Sequence, residues 1–374
     1  MAPYLLQNLY RRLGSPALRL AAIQTARAFG VRHLVTRIDT NDVCNLRCVM
    51  CPLSEPGRVP AAKPMPIEAF TRIADDLLPR TRHLYLSCST EPLATPHFDQ
   101  VLDVVARYRV PFVSYCTNGH LLRDRFIDAT LRAGVNEVIF SVDGATAPTY
   151  EAIRIGGKWH NLEDRLRAFT DARRAHRGRR PEVRMNYTVQ DSNCHELLQF
   201  VEWARQWDVT TLQFRIFRQF LGAVKQTDGP STIERYAQSL PALTARCHEL
   251  GIRLLVDPPA ARAPAVPAPA GMDELAADQC EVAPEPVPTA TATATAPAVT
   301  TKQKVGCRLP WVTVYVKADG SLFPCAAHPS VGNIFAHSYR EIERQEPMAT
   351  LRQSLRSCAK QHCVDCQRSG ADGL

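Results

Sequence analysis

From residue 34 to residue 256 the sequence alternates short runs rich in β-branched and aromatic residues with longer amphipathic stretches. The β-rich runs fall at 34–40, 83–87, 112–117, 137–141, 183–189 and 211–216. Helical periodicity fills the gaps over 67–78, 98–108, 123–133, 162–177, 196–207 and 232–250, and one more β-rich run follows at 252–256. Strands separated by helices of this length return through right-handed crossovers and pair in parallel. Six such units are too few to close an eight-fold barrel. The pattern predicts an α/β fold, a partial (β/α)6 TIM-like barrel that is open and curved. In such sheets the chemistry sits at the C-terminal ends of the strands.

The flanks differ from this core. Residues 4–30 carry the spacing of a basic amphipathic helix, expected to pack on the domain. Residues 258–304 are dominated by Pro, Ala and Thr, a composition that cannot bury a core and predicts a disordered linker. Beyond it, 311–316 and 322–324 read as strands joined by the turn Ala318-Asp319-Gly320, and 339–355 reads as a helix. That last segment is too small to be stable on its own hydrophobic core, and such segments usually need a metal staple. The expected divisions are 1–33, a helical extension; 34–257, the barrel; 258–304, the linker; and 305–374, a small C-terminal domain.

The formal net charge is +8, much of it from arginines on helical stretches, such as Arg173, Arg174, Arg177, Arg179 and Arg180. A solvated basic face explains these, and a docking surface for an acidic electron carrier is the sharper reading. No aromatic-interleaved basic motif points to nucleic acid. No apolar run reaches the length of a membrane span, and no cleavable signal pattern opens the sequence, so a cytoplasmic protein is expected. Thirteen cysteines in such a protein are not read as disulfides.

Cys44, Cys48 and Cys51 lie in Cys-Asn-Leu-Arg-Cys-Val-Met-Cys-Pro, directly after the first predicted strand. Three thiolates on one loop can converge on one inorganic centre. A tetrahedral zinc site needs a fourth ligand, and none is in sequence range. An iron–sulfur cube takes one ligand per iron, so three cysteines leave one iron open. This motif, in this place, resembles the radical S-adenosylmethionine enzymes. The resemblance implies a [4Fe–4S] cluster on the three cysteines, with S-adenosylmethionine chelated at the open iron. It implies reductive cleavage to methionine and a 5′-deoxyadenosyl radical, which abstracts a hydrogen atom from the substrate. An electron donor such as flavodoxin or ferredoxin is implied as well.

Other segments extend the likeness. Ser89-Thr90-Glu91-Pro92 resembles the family's Gly-Gly-Glu-Pro, with Ser89 and Thr90 in place of the glycines, and Glu91 is the expected partner of the methionine amino group. Thr117-Asn118-Gly119 closes the third strand, Ser141 the fourth, and Asn186 lies on the fifth; the resemblance makes Asn118, Ser141 and Asn186 cofactor-binding candidates. Cys88 and Cys116, at strand ends, are candidates to return a hydrogen atom to a substrate radical, against the plainer reading of small buried residues.

Cys307, Cys325, Cys358, Cys363 and Cys366 form the second group. Cys307 and Cys325 bracket the predicted hairpin, and Cys363-x2-Cys366 supplies two more thiols. By spacing alone a zinc ribbon and an iron–sulfur site are equally good. With the N-terminal motif, the group resembles the SPASM and twitch domains, which hold auxiliary iron–sulfur clusters. A full SPASM domain has seven cysteines. Five imply one auxiliary [4Fe–4S] cluster on Cys307, Cys325, Cys363 and Cys366, with Cys358 spare or an alternative ligand. The expected activity is oxidation or other tailoring of a small polar molecule such as a sugar, aminocyclitol or nucleotide. The alternatives are a maturase acting on a peptide or protein side chain and a non-catalytic iron–sulfur redox protein. Only 43 residues precede Cys44, few for a precursor-binding domain, which favours the small molecule. Arg215 or Arg218, at the end of the sixth strand, could hold a substrate alkoxide by charge.

Overall fold

The computed structural model describes residues 16–60, 62–87, 89–178, 180–217, 230–256, 309–325 and 328–357. The expected linker at 258–304 lies outside them. The elements run in the order α1 (Pro16–Ala28), β1 (Leu34–Ile38), α2 (Ile67–Leu77), β2 (Thr81–Leu86), α3 (Phe98–Arg107), β3 (Phe112–Thr117), α4 (Asp124–Arg132) and β4 (Glu137–Ser141). They continue through α5 (Ala147–Ile153), α6 (Trp159–Ala175), β5 (Glu182–Val189), α7 (Leu197–Ala204), β6 (Thr211–Ile216), α8 (Pro230–Glu249) and β7 (Arg253–Val256). The C-terminal segment adds α9 (Leu309–Val312), β8 (Thr313–Val316), β9 (Ser321–Phe323), β10 (Gly332–Asn333), α10 (Tyr339–Arg344) and α11 (Met348–Ser357).

Parallel pairing runs unbroken from β1 to β7, which makes the predicted open, partial barrel. The register sorts side chains into two faces, because neighbours in a parallel ladder point the same way. Leu84, Leu86, Val113, Tyr115, Val138, Phe140, Met185, Tyr187, Leu212 and Phe214 belong to the main apolar core with the helices. Their partners are amphipathic stripes, such as Phe70, Ile73 and Leu77 of α2 and Phe98, Val101, Leu102 and Val105 of α3. Each large side chain buried this way contributes about 1.5–3 kcal/mol. The other face carries Arg37, Tyr85, Ser114 and Glu137 in one register row, and Cys116, Ile139, Arg184 and Thr211 in the next. This mostly polar surface is the concave side on which the site is built.

β8 pairs in parallel with β1, from Val35 opposite Thr313 to Ile38 opposite Val316, and β9 and β10 follow antiparallel. The C-terminal strands are therefore a continuation of the barrel sheet. Helix α1 packs over this joint: Ile23 is buried with Trp311, Leu351 and Leu355, and Arg27 pairs with Glu343 at 2.8 Å.

Several element boundaries differ from expectation. The predicted helix over 339–355 is two helices, because Pro347 lacks the N–H a continuing helix needs and keeps Glu346 out of helical backbone. The predicted strand at 311–316 starts as the helical turn α9. Helix α5 was not expected; at seven residues, with Pro148 in its first turn, it is too short to show a periodic stripe.

After β4 the chain passes through Asp143 and Gly144 into α5. A Cβ on Gly144 would stand 2.6 Å from the backbone nitrogen of Tyr150. Gly144→Ala should therefore force α5 away from the strand end, at about 1–3 kcal/mol, read as a lowered denaturation midpoint in urea.

Candidate active site

The loop after β1 carries Cys44, Cys48 and Cys51, and backbone bonds fix its path. Arg47 N donates to Ile155 O at 2.8 Å, Val49 N to Ile153 O at 2.9 Å, and Cys51 N to Cys48 O at 3.0 Å. Asn41 ties this loop to the one after β2, donating through Nδ2 to Glu91 O at 2.7 Å and to Thr95 Oγ1 at 2.8 Å. Glu91 N donates in return to Val43 O at 3.1 Å.

Together these loops and the ends of β3 and β4 enclose a cavity of about 420 Å³. Cys44, Cys48 and Cys51 line it together with Glu91, Cys116, Asn118, Ser141 and Arg154. Asn186 is in register with Ser141 on the concave face but does not line the cavity. Arg215 is exposed on the same face of β6, in register with Thr188. Cys325, half-buried, follows β9. Cys88, Cys307, Arg218, Cys358, Cys363 and Cys366 lie outside the described residues.

The cavity suits an iron–sulfur cluster in its donor chemistry. Three thiols at its wall can each take a separate iron of one cube. Donors already face the sulfurs: Leu46 N and Asn118 Nδ2 reach Cys44 Sγ at 3.5 and 3.6 Å, and Arg154 Nη1 reaches Cys48 Sγ at 3.8 Å. Burial pushes the Cys48 thiol up to about 11 and raises Cys44 as well, so without iron both keep their protons at neutral pH. Iron must displace those protons, and the nearby donors favour the resulting thiolates.

Glu91 is buried, and its carboxylate accepts from Thr117 Oγ1 and Asn118 N, each at 2.8 Å, and from Leu93 N at 3.1 Å. Burial outweighs these bonds and lifts its pKa to about 7. Asn118 also bonds locally, with Nδ2 on Asn45 Oδ1 at 2.9 Å and Oδ1 accepting from His120 N at 3.0 Å, which leaves one lone pair of Oδ1 for a ligand. Cys116 Sγ and Ser141 Oγ are 3.2 Å apart, and burial raises the Cys116 thiol.

Two groups that the sequence reading did not single out complete the arrangement. Arg154, at the end of α5, forms a buried ion pair with Asp143 at 2.7 Å. A lone arginine among 45 lysines and arginines gives no signal in one sequence. Asp39, at the end of β1, accepts hydrogen bonds from Ser89 Oγ and from Tyr315 OH of β8, and those hydroxyls lie 2.7 Å apart. Ser89, where the family has glycine, thus ties the Glu91 loop to the C-terminal strands.

Comparison with known proteins agrees with this geometry. Residues 38–204 match the radical SAM superfamily, and residues 307–367 match the iron–sulfur cluster-binding SPASM domain. These matches identify a radical SAM domain followed by a C-terminal SPASM-type domain in this chain. Its cofactors are a [4Fe–4S] cluster and S-adenosylmethionine, with auxiliary iron–sulfur in the SPASM domain. Among curated relatives, a GTP 3′,8-cyclase of Desulforamulus reducens is 28% identical over 34% of this chain and 39% of its own. An AdoMet-dependent heme synthase of Methanosarcina barkeri is 28% identical over 44% of each. The chain thus matches less than half the length of these relatives. Among solved structures, Streptococcus suis SuiB superposes with a TM-score of 0.63 at 12% identity, covering 97% of this chain and 80% of that one. Native anSMEcpe with bound AdoMet gives 0.57 at 13%, over 84% and 82%. These structural likenesses establish the fold. No helix among the described residues is long and apolar enough to cross a membrane.

Because Glu91 is held near 7 in the folded chain and lies near the ordinary carboxylate value when unfolded, its protonation favours the fold at low pH. That contribution is complete below the unfolded pKa and is lost as pH rises through about 7. The metal-free chain should lose about 1–2 kcal/mol from this group between about pH 6 and about pH 8.5. Urea midpoints should show the loss in the parent and a flatter profile in Glu91→Gln.

Proposed function

We propose that this chain oxidises a small polar molecule, such as a sugar, aminocyclitol or nucleotide, by hydrogen-atom abstraction followed by electron transfer to an auxiliary cluster. Cys44, Cys48 and Cys51 hold the cluster that cleaves S-adenosylmethionine. Glu91, Asn118, Ser141 and Asn186 bind the cofactor, Glu91 through its ammonium group. Cys307, Cys325, Cys363 and Cys366 hold one auxiliary cluster, with Cys358 in reserve. The electron enters from a small carrier such as flavodoxin or ferredoxin, in the cytoplasm.

The observation that carries the reading is the bonding of β8 to β1. β9, the strand leading to Cys325, pairs with β8, and β8 pairs with β1, the strand leading to Cys44, so Cys325 and the Cys44 loop belong to one sheet. A substrate that has lost a hydrogen atom still carries one electron to be removed. An auxiliary cluster with all four irons on cysteine has no open site for substrate and is suited to accept that electron. The concave face beside the cavity offers Thr188, Gln213 and Arg215, donors and acceptors for a polar substrate. Both curated relatives described above bear names of enzymes acting on or making small molecules, a GTP cyclase and a heme synthase.

Cys116 supports a second outcome. Its thiol is held protonated, lines the cavity and touches Ser141. A hydrogen atom given from that S–H to the substrate radical would make the reaction an epimerisation, with the thiyl radical left on Cys116 returned to thiol by one electron from the small carrier and a proton from solvent. Cys88 is the other donor candidate.

Anaerobically reconstituted protein should contain about eight irons in two cubane clusters, and the triple variant Cys44→Ala, Cys48→Ala, Cys51→Ala about half as many. Eight irons retained in the triple variant would contradict the assignment. Turnover with a panel of sugars, aminocyclitols and nucleotides should give a product two hydrogens lighter, with one S-adenosylmethionine consumed per product. A product of unchanged mass that carries solvent deuterium, lost in Cys116→Ala, would establish the epimerase outcome instead.

A further inference from the structure

Arg154 is the only cation lining the cysteine cavity among the described residues. Its side chain is 8% exposed, and its Nη2 meets the fully buried Asp143 carboxylate at 2.7 Å. Its Nη1 is 3.8 Å from Cys48 Sγ, and its Nε is buried with no hydrogen-bond partner. Asp143 is fixed in turn, with Oδ1 accepting from Thr188 N at 2.7 Å. The two charges are therefore ordered in space: guanidinium toward the thiols, carboxylate behind it.

A buried ion pair is weak evidence for stability, because desolvating both partners offsets their attraction. The orientation of this one points elsewhere. The guanidinium lines the cavity with the three cysteines, Cys116 and Glu91, and its Nη1 faces Cys48 Sγ. A guanidinium stays protonated in a protein, and the ion pair with Asp143 holds this one in place. It is a permanent positive charge at one side of the site.

We propose that Arg154 and Asp143 form an oriented charge pair that sets the reduction potential of the cluster bound by Cys44, Cys48 and Cys51. The proposal rests on that assignment of the three cysteines. Reduction adds one electron and no proton to a centre that three thiolates already make anionic. A cation beside Cys48 favours the reduced state and raises the potential. An anion behind it lowers the potential. Hydrogen bonds and buried charge near cluster sulfurs are the protein's means of tuning such centres. Arg154 and Asp143 are positioning residues here, acting on the cluster through their field.

The opposite charges give opposite predictions. Holoprotein is titrated potentiometrically with a low-potential reductant, and the reduced cluster is followed by electron paramagnetic resonance. The cavity cluster is identified as the signal that changes when S-adenosylmethionine is added. Arg154→Gln should move its midpoint to more negative potential, and Arg154→Lys should restore part of the shift. Asp143→Asn should move it the other way. The auxiliary signal should stay in place in all three. Shifts of the same sign in Arg154→Gln and Asp143→Asn, or no shift in either, would overturn the proposal. If Arg154→Gln fails to load iron, the Lys and Asn variants decide by the same signs. Absence of any signal responsive to S-adenosylmethionine in the parent would instead overturn the assignment of the three cysteines.

Discussion

The parallel ladder is the constraint on which the rest of the structure depends. Once β1 to β7 pair in register, alternate residues must point to opposite faces. Tyr115, Phe140, Met185, Tyr187 and Phe214 join the helices in one continuous apolar core. The residues between them, Ser114, Cys116, Ser141, Asn186 and Gln213, are left for the concave side. The same hydrogen bonds bring the strand ends together, and the site needs no further scaffold. A one-residue slip of β3 would exchange Cys116 for Tyr115 on the concave face.

On that platform the loops are held by a small number of specific polar bonds. Asn41 joins the cysteine loop to the Glu91 loop, and Arg47 and Val49 bond it to the end of α5. Asp39 gathers Ser89 and Tyr315, so the Glu91 loop is tied to β8 as well. Ser87, immediately before this loop, has a positive φ of 55°, rare for a residue other than glycine. Its N–H bonds to Ile38 O at 2.8 Å, and the conformation turns the chain toward the cavity. The result joins the first βα unit to the C-terminal strands through both backbone pairing and side-chain bonds.

Much of this was legible in the sequence. Strand periodicity with intervening amphipathic helices determined the open α/β sheet, since long apolar stripes such as Phe70, Ile73 and Leu77 have few alternative uses. The Cys44, Cys48 and Cys51 spacing stood out because three thiols on one loop rarely serve packing alone. The pairing of β8 with β1 was not legible. It joins residues nearly three hundred positions apart, and no local pattern encodes that choice of edge. Arg154 was equally hidden, because its role comes from burial and from Asp143 opposite, and neither is a property of the local sequence. Ser89 in place of a glycine became intelligible only with Tyr315 in view: its hydroxyl makes a bond where a glycine has none.

The chemistry assigned to the cavity depends on whether a reduced cluster there can deliver its electron to S-adenosylmethionine. The most direct measurement is to reduce the anaerobically reconstituted protein with dithionite in the presence of S-adenosylmethionine and follow the products by chromatography and mass spectrometry. Formation of 5′-deoxyadenosine and methionine in equal amounts, dependent on both the reductant and the loaded cluster, is the expected result. A fully loaded, reducible protein that binds S-adenosylmethionine and yields neither product would contradict it.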